Sequence, residues 1–179
     1  MTGRPEGSQA HELFAEALES WEYVRQGVLA EAEGIPEDRW EFRPHERSRS
    51  VSDVVLHILS SGLVMSGELT RADGDFTRQP PPAFTEEYAG DLPADPSPHE
   101  LKKLLSSTLE EGVAKFRAAG AERMITDIRR FDGASWKRLT WMYHGIGHED
   151  YHRGQLALYA RMMGLVPALT RAIYGDEAK

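Results

Sequence analysis

The stretch Trp141-Met-Tyr-His144-Gly-Ile-Gly-His148-Glu149-Asp-Tyr-His152-Arg-Gly-Gln155-Leu156 decides the reading of this chain. Its histidines recur at every fourth residue. At about 100° per residue, each step of four drifts only about 40°, so on a helix all three share one face. Trp141, Tyr151, Gln155, Leu156, Tyr159, Met162 and Met163 fall on the same stripe, while Asp150, Arg153 and Arg161 fall opposite. The pattern predicts an amphipathic helix from near Ser135 to about Met163, ended by Gly164 and Pro167, with its histidines on the apolar, inward face.

Working outward, three more helices are legible. The first, about Ser8 to Glu33, carries Leu13, Phe14, Ala17, Leu18, Trp21, Val24 and Val28 at three- and four-residue steps, and Gly34 and Pro36 end it. The second starts at Ser50, where Ser50 and Asp53 have the layout of a capping box, and runs to about Arg71. Val51, Val54, Val55, Leu56, Ile58 and Leu59 make its first half apolar almost all round, so it is expected to be buried on several sides. The third opens at Ser97-Pro98-His99-Glu100 and is stopped by Gly120.

Between the second and third lies a Pro-rich stretch, residues 73–97, with Pro80, Pro81, Pro82, Pro93 and Pro96, in which no helix is expected. It reads either as a passive crossover or as a lid. Residues 121–134 are ambiguous; Asp132-Gly133 suits a turn between short extended flanks. The expected fold is therefore all-α: a four-helix bundle with a long Pro-rich crossover loop between helices 2 and 3. Residues 1–179 form one domain, with a core over 7–168 and a tail over 169–179.

Composition excludes several roles. The 179 residues carry 21 Lys and Arg against 29 Asp and Glu, a formal charge of −8, so the average field repels nucleic-acid phosphates. No apolar run is long enough to cross a membrane, and the N-terminus lacks an apolar signal core, which points to the cytoplasm. There is no Cys, so disulfides, thiolate ligands and a Cys nucleophile are all ruled out.

Histidines stacked on a buried face repel one another if charged, and need separate acceptors if neutral. A divalent cation resolves both problems by taking ring nitrogens at about 2.0–2.1 Å. His57 is a polar residue in the most apolar stretch of the chain, sharing a face with Val54, Ser61 and Val64, whereas His11, His45 and His99 read as solvated. The expected ligands are His57, His148 and His152, from two facing helices. His144 is an additional inward His: a fourth ligand, a proton shuttle or a core residue.

His148-Glu149-Asp-Tyr-His152 also fits the H-E-x-x-H pattern of zinc metalloproteases. The third His of that pattern is absent, however, and only Asp176 and Glu177 lie downstream as acidic candidates. Glu149 is a candidate base or, more simply, a solvated rim carboxylate. Asp53 and Gln155 are candidates to hydrogen-bond and orient the ligand rings, Asp53 having the capping box as its simpler role. Gly147 and Gly154 suit close approach of a neighbouring helix. Arg43, Arg47 and Arg49 form either a solvated connector or a receiver for an anionic substrate.

His148-x-x-x-His152-Arg153-Gly154-Gln155, followed by Arg161-Met-Met-Gly164-Leu-Val-Pro167, resembles the C-terminal signature of the DinB-like (YfiT-like) superfamily. Phe42-Arg43-Pro44 and Ser50-Val-Ser-Asp-Val-Val-Leu-His57-Ile58 resemble its first motif. The resemblance runs from about residue 10 to 168. It implies a four-helix bundle, often dimeric, with a His₃ site for zinc, nickel or a similar ion, mapping onto His57, His148 and His152. It also implies a small-molecule substrate and metal-dependent chemistry, either transfer of a low-molecular-weight thiol or hydrolysis. A metal-binding protein without catalysis is the alternative. Three neutral imidazoles leave a bound ion its full charge and an open position, where water is acidified towards a pKa of ~7 or an external thiol is held as thiolate.

Overall fold

The computed structural model describes residues 6–176; Glu177 and the first five residues of the N-terminus lie outside them. Four long helices make the bundle: α1 (Glu6–Glu33), α2 (Val51–Thr70), α4 (Pro98–Met124) and α5 (Arg138–Met162). Two short ones, α3 (Pro81–Ala89) and α6 (Ala168–Tyr174), a single 3-10 turn (Glu37–Arg39) and a hairpin of β1 (Asp127–Arg129) with β2 (Ser135–Lys137) lie between and after them. Helices α1 and α2 each pack against α4 and α5, so α1 lies diagonal to α2 across the bundle. This arrangement sets α2 beside α5, which is what the histidines require. No helix among the described residues is long and apolar enough to cross a membrane.

Helix ends follow local chemistry. Ser50 caps α2 and Ser97 caps α4, each with the reciprocal carboxylate of a full capping box, from Asp53 and Glu100. Gly164 ends α5 at φ 78°, and the Leu165 amide returns to the Ala160 carbonyl at 2.9 Å, a Schellman closure. Gly120 breaks α4 at the expected place (φ 78°, ψ 163°), but one further helical turn follows it to Met124.

The Pro-rich segment corrects the expectation of no helix. Pro80 is the N-cap of α3, and Pro81 and Pro82 occupy its first positions, where no amide donor is needed. Prolines clustered at the start of a helix do not oppose it. Residues 135–137 are strand, not the start of the long helix: Ile128 pairs with Trp136, and the turn passes through Gly133 at φ 82°. The tail is likewise more ordered than expected. Glu31 accepts hydrogen bonds from the Ala168 and Leu169 amides at 2.8 and 3.1 Å, satisfying the open N-terminus of α6.

The core is two apolar clusters. One gathers Trp21, Phe116 and Met142; the other gathers Val28, Ile58, Leu101 and Leu156. Between Val24 of the first and Val28 of the second, α1 inserts Arg25, which is 2 % exposed. Its guanidinium meets Glu149, 1 % exposed, through two parallel bonds of 2.8 and 2.6 Å. Arg25 Nη1 donates to the Leu105 carbonyl and Thr108 Oγ1, both at 3.0 Å, and Trp21 Nε1 donates to Glu149 Oε1 at 2.8 Å. A Cβ at Gly62 would sit 2.7 Å from this guanidinium, so α2 admits the ion pair only because it carries glycine there.

Candidate metal centre

Helix α2 presents His57 beside Ser60, Ser61 and Val64, and α5 presents His148 and His152 one turn apart. The three rings are mutually edge-to-face, with centroids 4.6–5.0 Å apart. The Nε2 atoms of His57 and His152 each lie 3.2 Å from His148 Nε2. One nitrogen from each ring falls within 4.8 Å of the others. Nitrogens bound tetrahedrally to one ion at about 2.0–2.1 Å are separated by roughly 3.3 Å, so the spacing fits a shared cation.

The surroundings set the protonation these rings would need. His152 Nδ1 faces Gln155 Oε1 at 2.9 Å. Gln155 Nε2 donates to Tyr159 Oη at 2.8 Å, and Tyr159 in turn donates to the Arg49 carbonyl at 3.2 Å. The direction of this chain makes Gln155 Oε1 an acceptor, so the proton of a neutral His152 sits on Nδ1 and its Nε2 lone pair is free. Burial, followed by the Arg49 charge and the other two histidines, lowers His57 to a pKa of about 4. Burial, followed by His152, lowers His148 to about 4. Both are therefore neutral near pH 7, the form that binds metal.

The other expected site residues lie elsewhere. Glu149 is not a rim carboxylate: it is buried, turned about 100° from His148 on the helix, and its oxygens are engaged by Arg25 and Trp21. Asp53 serves the α2 cap and accepts from Arg43 at 2.9 Å, so it does not orient a ligand ring. Arg43 is thereby a brace for the start of α2. His144 is exposed, not inward, and stacks on Trp141 at 4.4 Å and 17°. Tyr151 and Met162 are also exposed, 72 % and 53 %. A Cβ at Gly147 or Gly154 would meet nothing; the close approach is at Gly145, where it would collide with Met65.

A cavity of about 240 Å³ opens against His57 and His148. Its far wall is aromatic: Phe76 and Phe84 from the Pro-rich crossover, Phe131 from the hairpin, and Trp141 from α5. The crossover is thus part of the site. It is fastened to the bundle by Glu68, fully buried, which accepts from Arg78, from Tyr88 at 2.7 Å and from the Asp75 amide at 2.6 Å. Sequence reasoning missed Phe76, Phe84 and Phe131; the available signal was two phenylalanines inside a polar, Pro-rich stretch.

Comparison with known proteins places this architecture. Two solved structures from Bacillus subtilis share the fold. The DinB-like protein YjoA is 22% identical, with a TM-score of 0.64 over 83% of this chain and 92% of its own. YfiT is 17% identical, with a TM-score of 0.60 over 90% of this chain and 94% of its own. YfiT is described as a probable metal-dependent hydrolase with an unusual four-helix bundle topology. No curated protein matches the chain. The DinB family model matches residues 8–176, spanning the bundle, the crossover and all three clustered histidines, and the chain belongs to that family.

Proposed function

We propose that the protein is a divalent-metal-dependent enzyme acting on a small-molecule electrophile, with water or an external low-molecular-weight thiol as nucleophile. The observation that carries this is the convergence of three Nε2 atoms at the edge of a cavity rather than in a sealed core. His57, His148 and His152 would hold the ion, with zinc or nickel among those that imidazole suits. Once bound there, the ion would supply Lewis-acid polarisation and an acidified water or thiol.

The chain's own groups would do the rest. Gln155 keeps the His152 lone pair on Nε2. The aromatic wall excludes water from one side of the reacting group. His144 lines the same cavity and is the titratable side chain there outside the triad, so it is the nearest carrier for a proton exchanged in the reaction. A protease of the H-E-x-x-H type is disfavoured, because Glu149 cannot reach a bound water from its pairing with Arg25.

The test is turnover of neutral esters and amides by zinc- or nickel-loaded protein, with and without a low-molecular-weight thiol. Activity should be abolished by chelation and by His57→Ala. A fully loaded protein that turns over none of these compounds would instead be a metal-binding protein without catalysis.

A further inference from the structure

The cavity beside the triad has a definite chemical character. Phe76, Phe84, Phe131 and Trp141 form one contiguous cluster, with centroid distances from 4.8 Å (Phe76–Phe131) to 6.4 Å (Phe131–Trp141). Phe76 and Phe84 are buried at 3 % and 1 % exposure and are held by their surroundings, whereas Phe131 is 47 % exposed and offers an open ring face. His144, which lines the same cavity, stacks flat on Trp141 and holds the indole in place. Flat apolar faces of this kind favour a planar guest, by offset or edge-to-face contact in addition to area burial.

The lining is equally informative in what it omits. No Asp, Glu, Lys or Arg is among the described residues that line it. Arg78 and Arg130 lie over the Phe84 and Trp141 rings, but their guanidinium groups are engaged by Glu68 and Glu87 and by Asp132, so a charged substituent seated among the rings would be desolvated without a free counter-charge in the lining. Polar contact is limited to groups such as the Ser61 and Thr85 hydroxyls, which have no hydrogen-bond partner among the described residues and suit a neutral carbonyl or hydroxyl. The Pro80–Pro82 start of α3 holds Thr85 on that wall, one residue after Phe84.

We propose that the site selects an uncharged substrate whose reacting group is carried on a planar aromatic body, seated against Phe131 and Trp141 with the reacting group over His57 and His148. This rests on the metal-dependent reading above and names its substrate class.

Hydroxamates separate the two claims, because the hydroxamate group binds a divalent ion while its substituent reports on the cavity. Binding to the zinc-loaded protein is measured by calorimetry for acetohydroxamate, benzohydroxamate and 4-carboxybenzohydroxamate. Benzohydroxamate is expected to bind at least about tenfold more tightly than acetohydroxamate, through ring burial. The 4-carboxy compound is expected to lose that gain. In Phe131→Ala, whose side chain is half-exposed, the benzo-to-aceto ratio is expected to fall towards one. Equal affinity of the first two compounds, retention of the gain by the 4-carboxy compound, or an unchanged ratio in Phe131→Ala overturns the aromatic specificity and leaves the metal centre standing. Failure of every hydroxamate to bind overturns the metal centre itself, and the specificity with it.

Discussion

Glu149 and His148 are neighbours in sequence on α5, yet their surroundings satisfy polar atoms in opposite ways. Around Glu149 each charged group meets its complement: Arg25 donates twice to the carboxylate, Trp21 adds a third bond, and Thr108 and the Leu105 carbonyl take the remaining guanidinium contacts. Around His148 like meets like. Three imidazoles aim Nε2 at one another, and neutral rings can place only some protons between them. The first cluster is closed and structural. The second is a set of acceptors that a shared cation would satisfy. Burial alone would not have told them apart, since Glu149 is the more buried of the two.

The largest expected effect breaks the closed cluster. Glu149→Gln leaves the Arg25 charge buried without its counter-charge, a loss of about 3–5 kcal/mol. For a domain of this size that lowers Tm by roughly 10 °C in calorimetry. Arg25→Met combined with Glu149→Leu should recover most of the loss, because apolar replacement of both partners removes the stranded charge. If Glu149→Gln were neutral and abolished turnover instead, the carboxylate would belong to the site after all.

His57→Ala inverts that outcome. The metal-free protein should keep its Tm, since the removed ring makes no indispensable contact in the core. What it should lose is metal-dependent stabilisation, about 4 kcal/mol for the wild type at free metal a thousandfold above Kd. Thermal melts with and without zinc, alongside elemental analysis, read both effects. Full metal occupancy in His57→Ala would sink the ligand set.

Why one cluster was legible in the sequence and the other was not follows from this contrast. The triad announces itself by type and period: His148 and His152 at helical spacing, and a lone His57 in an apolar run. The four long helices were legible for similarly local reasons, through the caps at Ser50 and Ser97 and the stop at Gly164. Glu149 was misjudged because its partner Arg25 lies on α1, and nothing within α5 signals a carboxylate facing charged and polar groups of α1 and α4. His144 was misplaced because a second step of about 40° from His152 carries it off the buried face and onto Trp141. The aromatic wall was hidden because it is assembled from a crossover, a hairpin and a helix, a long-range fact with no period. The helix at Pro81 is invisible to proline content alone, because Pro80–Pro82 stand at its cap and first positions, where proline is tolerated.

A smaller effect sharpens the open cluster. Gln155→Ala removes the acceptor that holds the His152 proton on Nδ1. Partners of this kind change metal affinity by about 10–100-fold on mutation. Competition titration against a chromophoric chelator should therefore give weaker binding at unchanged stoichiometry. An affinity equal to wild type would mean that packing alone orients His152.

The smallest expected effect is the response of the metal-free protein to acid. His57 and His148 have pKa values of about 4 in the fold, against an ordinary value of 6.5. Above pH 6.5 both are neutral, folded or unfolded, and contribute no pH dependence. Between 6.5 and 4 the unfolded chain takes up protons that the folded one resists, so stability falls as the pH falls through that window and levels off below it. Carboxylates add their own losses at the lower end, so the measurement is a difference. Urea midpoints from pH 7 to 4.5 should decline more steeply for wild type than for a His57→Phe, His148→Phe variant, whose apolar rings have nothing to titrate. Parallel declines would show that burial around the triad does not hold these rings neutral, and the contrast with the closed Glu149 cluster would lose its electrostatic basis.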